Sequence, residues 1–175
     1  MTQPTTQLPR ARVITGTAAE QELHAMGLSP SNLTRPCVEG LQNAVAGYSP
    51  FEPAISFGFS IWSKIVGALR KQLNDEDWKH HDIANAPRSV SPDGTTAIAA
   101  VGGDSQTAHA DGNPRNARTK GPRFANEVEN NAAKSSALRY TQCRLDLGPG
   151  DKDTVFADLQ TWVLLYFWDR ASNEL

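Results

Sequence analysis

Four cations fall within nine residues of the segment Asn113-Pro114-Arg115-Asn116-Ala117-Arg118-Thr119-Lys120-Gly121-Pro122-Arg123, and no acid occurs between Asp111 and Glu127. Guanidinium forks match phosphate oxygens two at a time, and a helix N-terminus offers free N–H groups to the same anion. Arg115, Arg118, Lys120 and Arg123 are therefore the candidate contacts to phosphate or to a nucleic-acid backbone. The competing reading is a solvated loop whose charges confer solubility. It draws on the formal charge of −2 for the whole chain and on the lack of aromatics interleaved with these cations for base stacking.

Other groupings come closer to ordinary structure. Gly102-Gly103-Asp104 has neither the GxGxxG nor the GxxxxGK[ST] spacing of a phosphate-binding loop, so the glycines are expected to end a strand and Asp104 to cap the following loop. His80, His81, Asp82 and His109 make up the one possible metal set. Adjacent histidines on a strand point to opposite faces, so no metal site and no cofactor is expected. A metal-dependent nuclease would need two acids and a lysine clustered on neighbouring strands. Asp93, Asp104 and Lys120 are the nearest approach to such a set, although Asp93 already has a turn to make. Cys37 and Cys143 have no CxxC spacing and fall on predicted apolar faces, where burial would raise a thiol's pKa and leave it inert. No catalytic residue is assigned.

The elements that must position these groups follow from caps and periodicity. Thr17-Ala18-Ala19-Glu20 has the capping-box form, with Thr17 as N-cap, and Gly27 stops the helix that follows. Ser29-Pro30 reads as a short turn and Pro36 as a first helical position. Val38, Leu41, Ala44, Val45 and Tyr48 then form one apolar stripe. Phe59, Trp62, Ile65, Val66, Leu69 and Leu73 share a face of a stronger helix. Ser89–Ser91, Pro92-Asp93-Gly94 and Thr95–Val101 read as a β-hairpin. Residues 102–123 form a long polar loop, followed by a helix from Arg123 to about Lys134. Alternation from Thr141 to Leu147 predicts a half-buried strand. The segment 161–168 is aromatic and branched on both parities, as expected of a strand in the middle of a sheet covered on both faces. Trp78, among charged residues, is the tryptophan expected to be partly exposed.

Length and charge bound the rest. The 175 residues fit a flexible arm (1–15) and one domain (16–175). A pI near 6.1 gives no global pull toward nucleic acid or acidic lipid. The polar N-terminus is not a secretory signal, and the longest apolar run, Trp162 to Trp168, is too short to cross a membrane, so a cytoplasmic location is expected. Asp169-Arg170-Ala171-Ser172-Asn173 is a turn sequence with no returning strand. The exposed edge this implies would be paired by a strand from elsewhere or from another chain, or else the chain is a shortened product.

The run Trp78-Lys79-His80-His81-Asp82-Ile83, the Asp93-Gly94 turn leading to Gly102-Gly103-Asp104, the stretch Asn113 to Arg123, and Thr161-Trp162-Val163-Leu164-Leu165 resemble a group of bacterial proteins with no assigned activity. The resemblance spans Met26 to the end and implies a further strand beyond it, but no function. The sequence thus predicts an α+β fold, with N-terminal helices on a small, mostly antiparallel sheet. The expected function is non-enzymatic binding through loop 113–123. The alternatives are a metal-dependent phosphodiesterase using Asp93, Asp104 and Lys120, and a truncated product without independent function.

Overall fold

The computed structural model describes residues 14, 16–83, 86–109, 112–117 and 159–169. Three helices, α1 (Thr17–Ala25), α2 (Pro30–Ala46) and α3 (Ala54–Asn74), precede four strands, β1 (Lys79–Ile83), β2 (Ala86–Val90), β3 (Thr96–Gly102) and β4 (Gln160–Tyr166). The fold is α+β, with the helices packed on a mixed sheet of order β1-β2-β3-β4. β1–β2 and β2–β3 pair antiparallel, and β3–β4 pair parallel. The predicted arm, the helix from Arg123 and the strand 141–147 lie outside the described residues, apart from Ile14 of the arm. None of the described helices is long and apolar enough to cross a membrane.

Helix ends decide where the chain turns back on itself. At the end of α1, Gly27 takes φ 72°. The Leu28 N–H reaches the Leu23 carbonyl (2.9 Å) and the Gly27 N–H that of His24 (2.9 Å), a Schellman closure that returns Leu28 to the core. The same closure ends α3 with Asp77 in the left-handed position (φ 63°). There the Trp78 N–H bonds the Leu73 carbonyl (3.0 Å) and the Asp77 N–H that of Asn74 (3.1 Å). The reversal folds Trp78 back beside Leu73, so it is 2% exposed instead of the partly exposed residue expected from its charged neighbours.

Helix starts differ from expectation in two places. Gly16 is the N-cap of α1 and no side chain caps it, so Thr17 lies inside the first turn. α2 starts at Pro30, because Ser29 and Asn32 form a reciprocal capping box. Pro36 consequently sits within the helix. It forfeits one backbone donor there and is fully buried.

The core lies between α2, α3 and the helix-facing side of the sheet. Ile61, Ile65, Leu69 and Leu73 of α3 meet Cys37 and Leu41 of α2, and Ile98 and Ala100 of β3. Asn32 Nδ2 donates to Glu76 Oε1 (3.0 Å), tying the start of α2 to the end of α3. The predicted stripe of α2 is narrower than its sequence spacing implies. Leu41 and Ala44 are buried, whereas Val38, Val45 and Tyr48 are exposed.

The strand covered on both faces is β3, where Ala97, Ile98, Ala99, Ala100 and Val101 are all buried. β4, which the sequence places in the middle of the sheet, is the last strand in the order among the described residues, and Trp162 and Val163 are exposed. Leu164, Tyr166 and Trp168 still pack on the core from it. The hairpin forms as expected, with Gly94 at φ 70° and Ser89 opposite Ile98. The sequence assigned no strand to β1, because Lys79-His80-His81-Asp82 carries no alternating apolar residue.

Gly40 sets the α2–α3 distance, since a Cβ there would lie 2.5 Å from both Cα and N of Ile65. Gly67, on α3, has nothing within 4 Å of that position. Gly40→Ala is expected to lower the unfolding free energy by about 1–3 kcal/mol, despite alanine's helix propensity. Gly67→Ala should raise it by up to about 1 kcal/mol. Urea titration of both variants separates the clash from the propensity effect.

Candidate functional site

Residues 115–117 of the basic segment lie against the end of β3. Gly103 N–H donates to the Tyr166 carbonyl of β4 (2.8 Å), continuing the parallel pairing one residue beyond the strand. The chain then turns through 104–109 and comes back across the strand end. Asp104 N–H donates to the Arg115 carbonyl (3.0 Å), Ala117 N–H donates to the Gly102 carbonyl (2.9 Å), and Gly103 bridges Asn116. A Cβ at Gly103 would meet the Thr107 hydroxyl, so a larger residue there would force that side chain aside. The first half of the predicted loop is thus laced to the sheet by backbone bonds, and Arg115 projects from it exposed. Arg118, Lys120 and Arg123 lie outside the described residues.

Asp104 caps the turn, as expected: its Oδ1 accepts from Gln106 N–H (3.1 Å) and its carbonyl from Thr107 N–H (3.0 Å). Asp93 is likewise a turn residue. Its Oδ1 accepts from the Ser91 hydroxyl (2.5 Å) and Thr95 N–H (3.1 Å), and its Oδ2 from the Thr95 hydroxyl (2.8 Å). β3 separates the two carboxylates. Its seven residues, at about 3.3 Å each, span about 20 Å. The structure therefore does not bring Asp93 and Asp104 to one site, and Lys120 lies outside the described residues.

His80, His81 and Asp82 are exposed on β1, at the end of the strand order away from β4, and His109 lies in the turn after β3. Asp82 pairs with Arg70 of α3 (2.5 Å). Among the described residues no group of three or more His, Cys, Asp or Glu could hold a metal ion. Burial pushes the Cys37 thiol up to about 11, so it is protonated near neutrality and a poor nucleophile. Cys143 lies outside the described residues.

Two cavities flank the carboxyl ends of β3 and β4, and Tyr166 lines both. One, of about 620 Å³, lies between the first turns of α3 and the strand end, with Ile55, Phe59 and Trp62 facing Gly102, Ala117 and Tyr166. The other, of about 540 Å³, lies between α2 and the 104–109 turn, where Cys37, Thr107 and His109 meet Leu165 and Tyr166. Comparison with protein-family models, curated proteins and solved structures finds no match to this chain. The chemistry of the site must be read from its own residues.

Phe59, Trp62 and Tyr166 are the site residues that sequence reasoning missed. Phe59 was expected on the buried face of its helix and is 64% exposed. Phe59 precedes buried Ile61 by two residues, about 200° around the helix, and so falls outside the buried stripe Ile61, Ile65, Ala68, Leu69 and Leu73.

Asp93 yields a pH test. Hydrogen bonds from Ser91, and then from the Thr95 backbone and side chain, lower its pKa below the ordinary 3.8. Since the folded value is the lower one, ionised Asp93 stabilises the hairpin above that range, and the contribution disappears as pH falls through the folded value. Asp93→Asn should be less stable than wild type at neutral pH, with the gap closing below pH 3.8. Thermal melts from pH 7 down to pH 2 check this; a gap independent of pH would contradict it.

Proposed function

We propose that the chain is a cytoplasmic, non-enzymatic binding protein whose basic loop 113–123 contacts phosphate groups, those of a nucleic-acid backbone above all. One observation carries the reading. Backbone bonds from Gly102, Gly103 and Asp104 hold 115–117 against the end of β3, while the Arg115 side chain remains exposed. A cation on an anchored segment loses less conformational freedom on meeting an anion than one on a free loop. The four cations of 115–123 are concentrated in nine residues of a chain that is acidic overall.

The metal-dependent phosphodiesterase lacks comparable support, because its two carboxylates occupy opposite ends of β3 and each is already engaged in a turn.

Fluorescence anisotropy with a labelled single-stranded oligonucleotide tests the loop. Binding should weaken steeply as salt rises from 50 to 200 mM, with a log–log slope set by the number of phosphates contacted. Arg115→Ala and Arg118→Ala should each weaken binding and reduce that slope by about 1. A lack of affinity at low salt refutes the reading.

A further inference from the structure

The cavity that Ala117 lines has three aromatic residues in its wall, Phe59, Trp62 and Tyr166. Phe59 is 64% exposed, and its ring lies 5.5 Å from that of Trp62 at an interplanar angle of 46°. Trp62 Nε1 donates to the Ala100 carbonyl of β3 (3.2 Å). That bond fixes the indole and uses its single donor, leaving the ring face as the surface it can offer a ligand. Gly58, Gly102 and Ala117 present almost no side chain to the same space, which leaves room for a flat ring. Tyr166 also lines this space, and burial, then the neighbouring Cys37, pushes its hydroxyl up to about 12, so it is protonated.

The position of Ala117 connects this slot to the loop. It lines the cavity and also belongs to the laced segment, two residues after exposed Arg115. Two residues of extended chain cover about 7 Å, so the aromatic walls and the first cation of the loop border one surface. We infer that this cavity receives an unpaired nucleobase, stacked on the exposed Phe59 ring with Trp62 as the adjoining wall, while the neighbouring phosphate meets Arg115. The inference rests on the loop reading given above and adds its substrate class: single-stranded nucleic acid, bound with little preference among bases. A base inside a duplex is stacked on its neighbours and paired, and so cannot enter the slot. Aromatic stacking engages the π-face that every base possesses.

The full chain, titrated by anisotropy at 50 mM salt, separates slot from loop. Three labelled probes are used: a single-stranded 12-mer, an abasic 12-mer of equal charge, and the corresponding duplex. The intact single strand should bind about tenfold or more tighter than the abasic strand. Phe59→Ala should abolish that preference while leaving the salt dependence intact. Equal binding of intact and abasic strands by the wild-type chain overturns the slot while the loop reading survives. So does a preference that persists in Phe59→Ala. If no probe binds at low salt, both readings fail. The wild-type comparison decides the matter even if the variant does not fold.

Discussion

Strand β3 has a hydrogen-bonded neighbour on each edge and buried residues on each face. A strand in that position needs its backbone groups paired on both sides, because an unpaired amide removed from water is costly. β2 pairs with Ala97 and Ile98 on one edge through a tight hairpin, and β4 pairs along the whole of the other edge from far along the chain. Ala100, a small residue, lies in the core with Ile65 and Leu69 of α3, so helix and sheet can approach closely. On the helix side the approach is close enough for the Trp62 indole to reach the Ala100 carbonyl. The rest of the described structure is arranged around that strand.

β3 lies inside the sheet order, and β4 holds its carboxyl end. The chain leaves it at Gly103, turns under the control of Asp104 and returns to be bonded again at Ala117. The first cation of the basic segment therefore has a defined location relative to α3 and β4. In open sheets, the carboxyl ends of parallel strands are where side chains and loops from separate parts of the chain converge. Here Phe59 and Trp62 arrive from α3, Tyr166 from β4 and Ala117 from the returning loop. The aromatic contacts extend that junction, with Phe57 edge-on to Trp168 (5.7 Å) and tilted against Tyr48 (4.8 Å).

The helical layer follows a parallel logic. Ile65 has no exposed surface and occupies the point where α2 comes nearest to α3, an approach that only a residue without a side chain, Gly40, permits. Two Schellman closures then aim buried residues, Leu28 and Trp78, back under the helices that precede them. Asp77 performs at φ 63° what Gly27 performs at φ 72°. The penalty for an aspartate in that region is modest, since its short polar side chain tolerates the left-handed conformation better than most. A search for glycine stops finds the first closure and passes over the second. That is why Trp78 reads as a surface residue from its neighbours and is a core residue in the fold.

What the sequence determined by itself is the set of features enforced within a few residues. Pro92-Asp93-Gly94 demands a turn, Gly27 a helix stop, and the spacing of Ile65, Leu69 and Leu73 one buried helical face. Each depends on local sterics, hydrogen bonds or helical period, and each forms as that chemistry requires. Tertiary structure alone decided which strand is central, because apolar content ranks 161–168 above the alanine-rich 96–102, whereas centrality depends on having two neighbours. It also decided that 160–166 runs parallel to 96–102, since a parallel pairing bridges a long connection and leaves no local signature. The aromatic slot is a consequence of that pairing. Phe59, Trp62 and Tyr166 stand beside the basic loop because a strand from the end of the chain is bonded along β3, and nothing in the residues surrounding the loop encodes it.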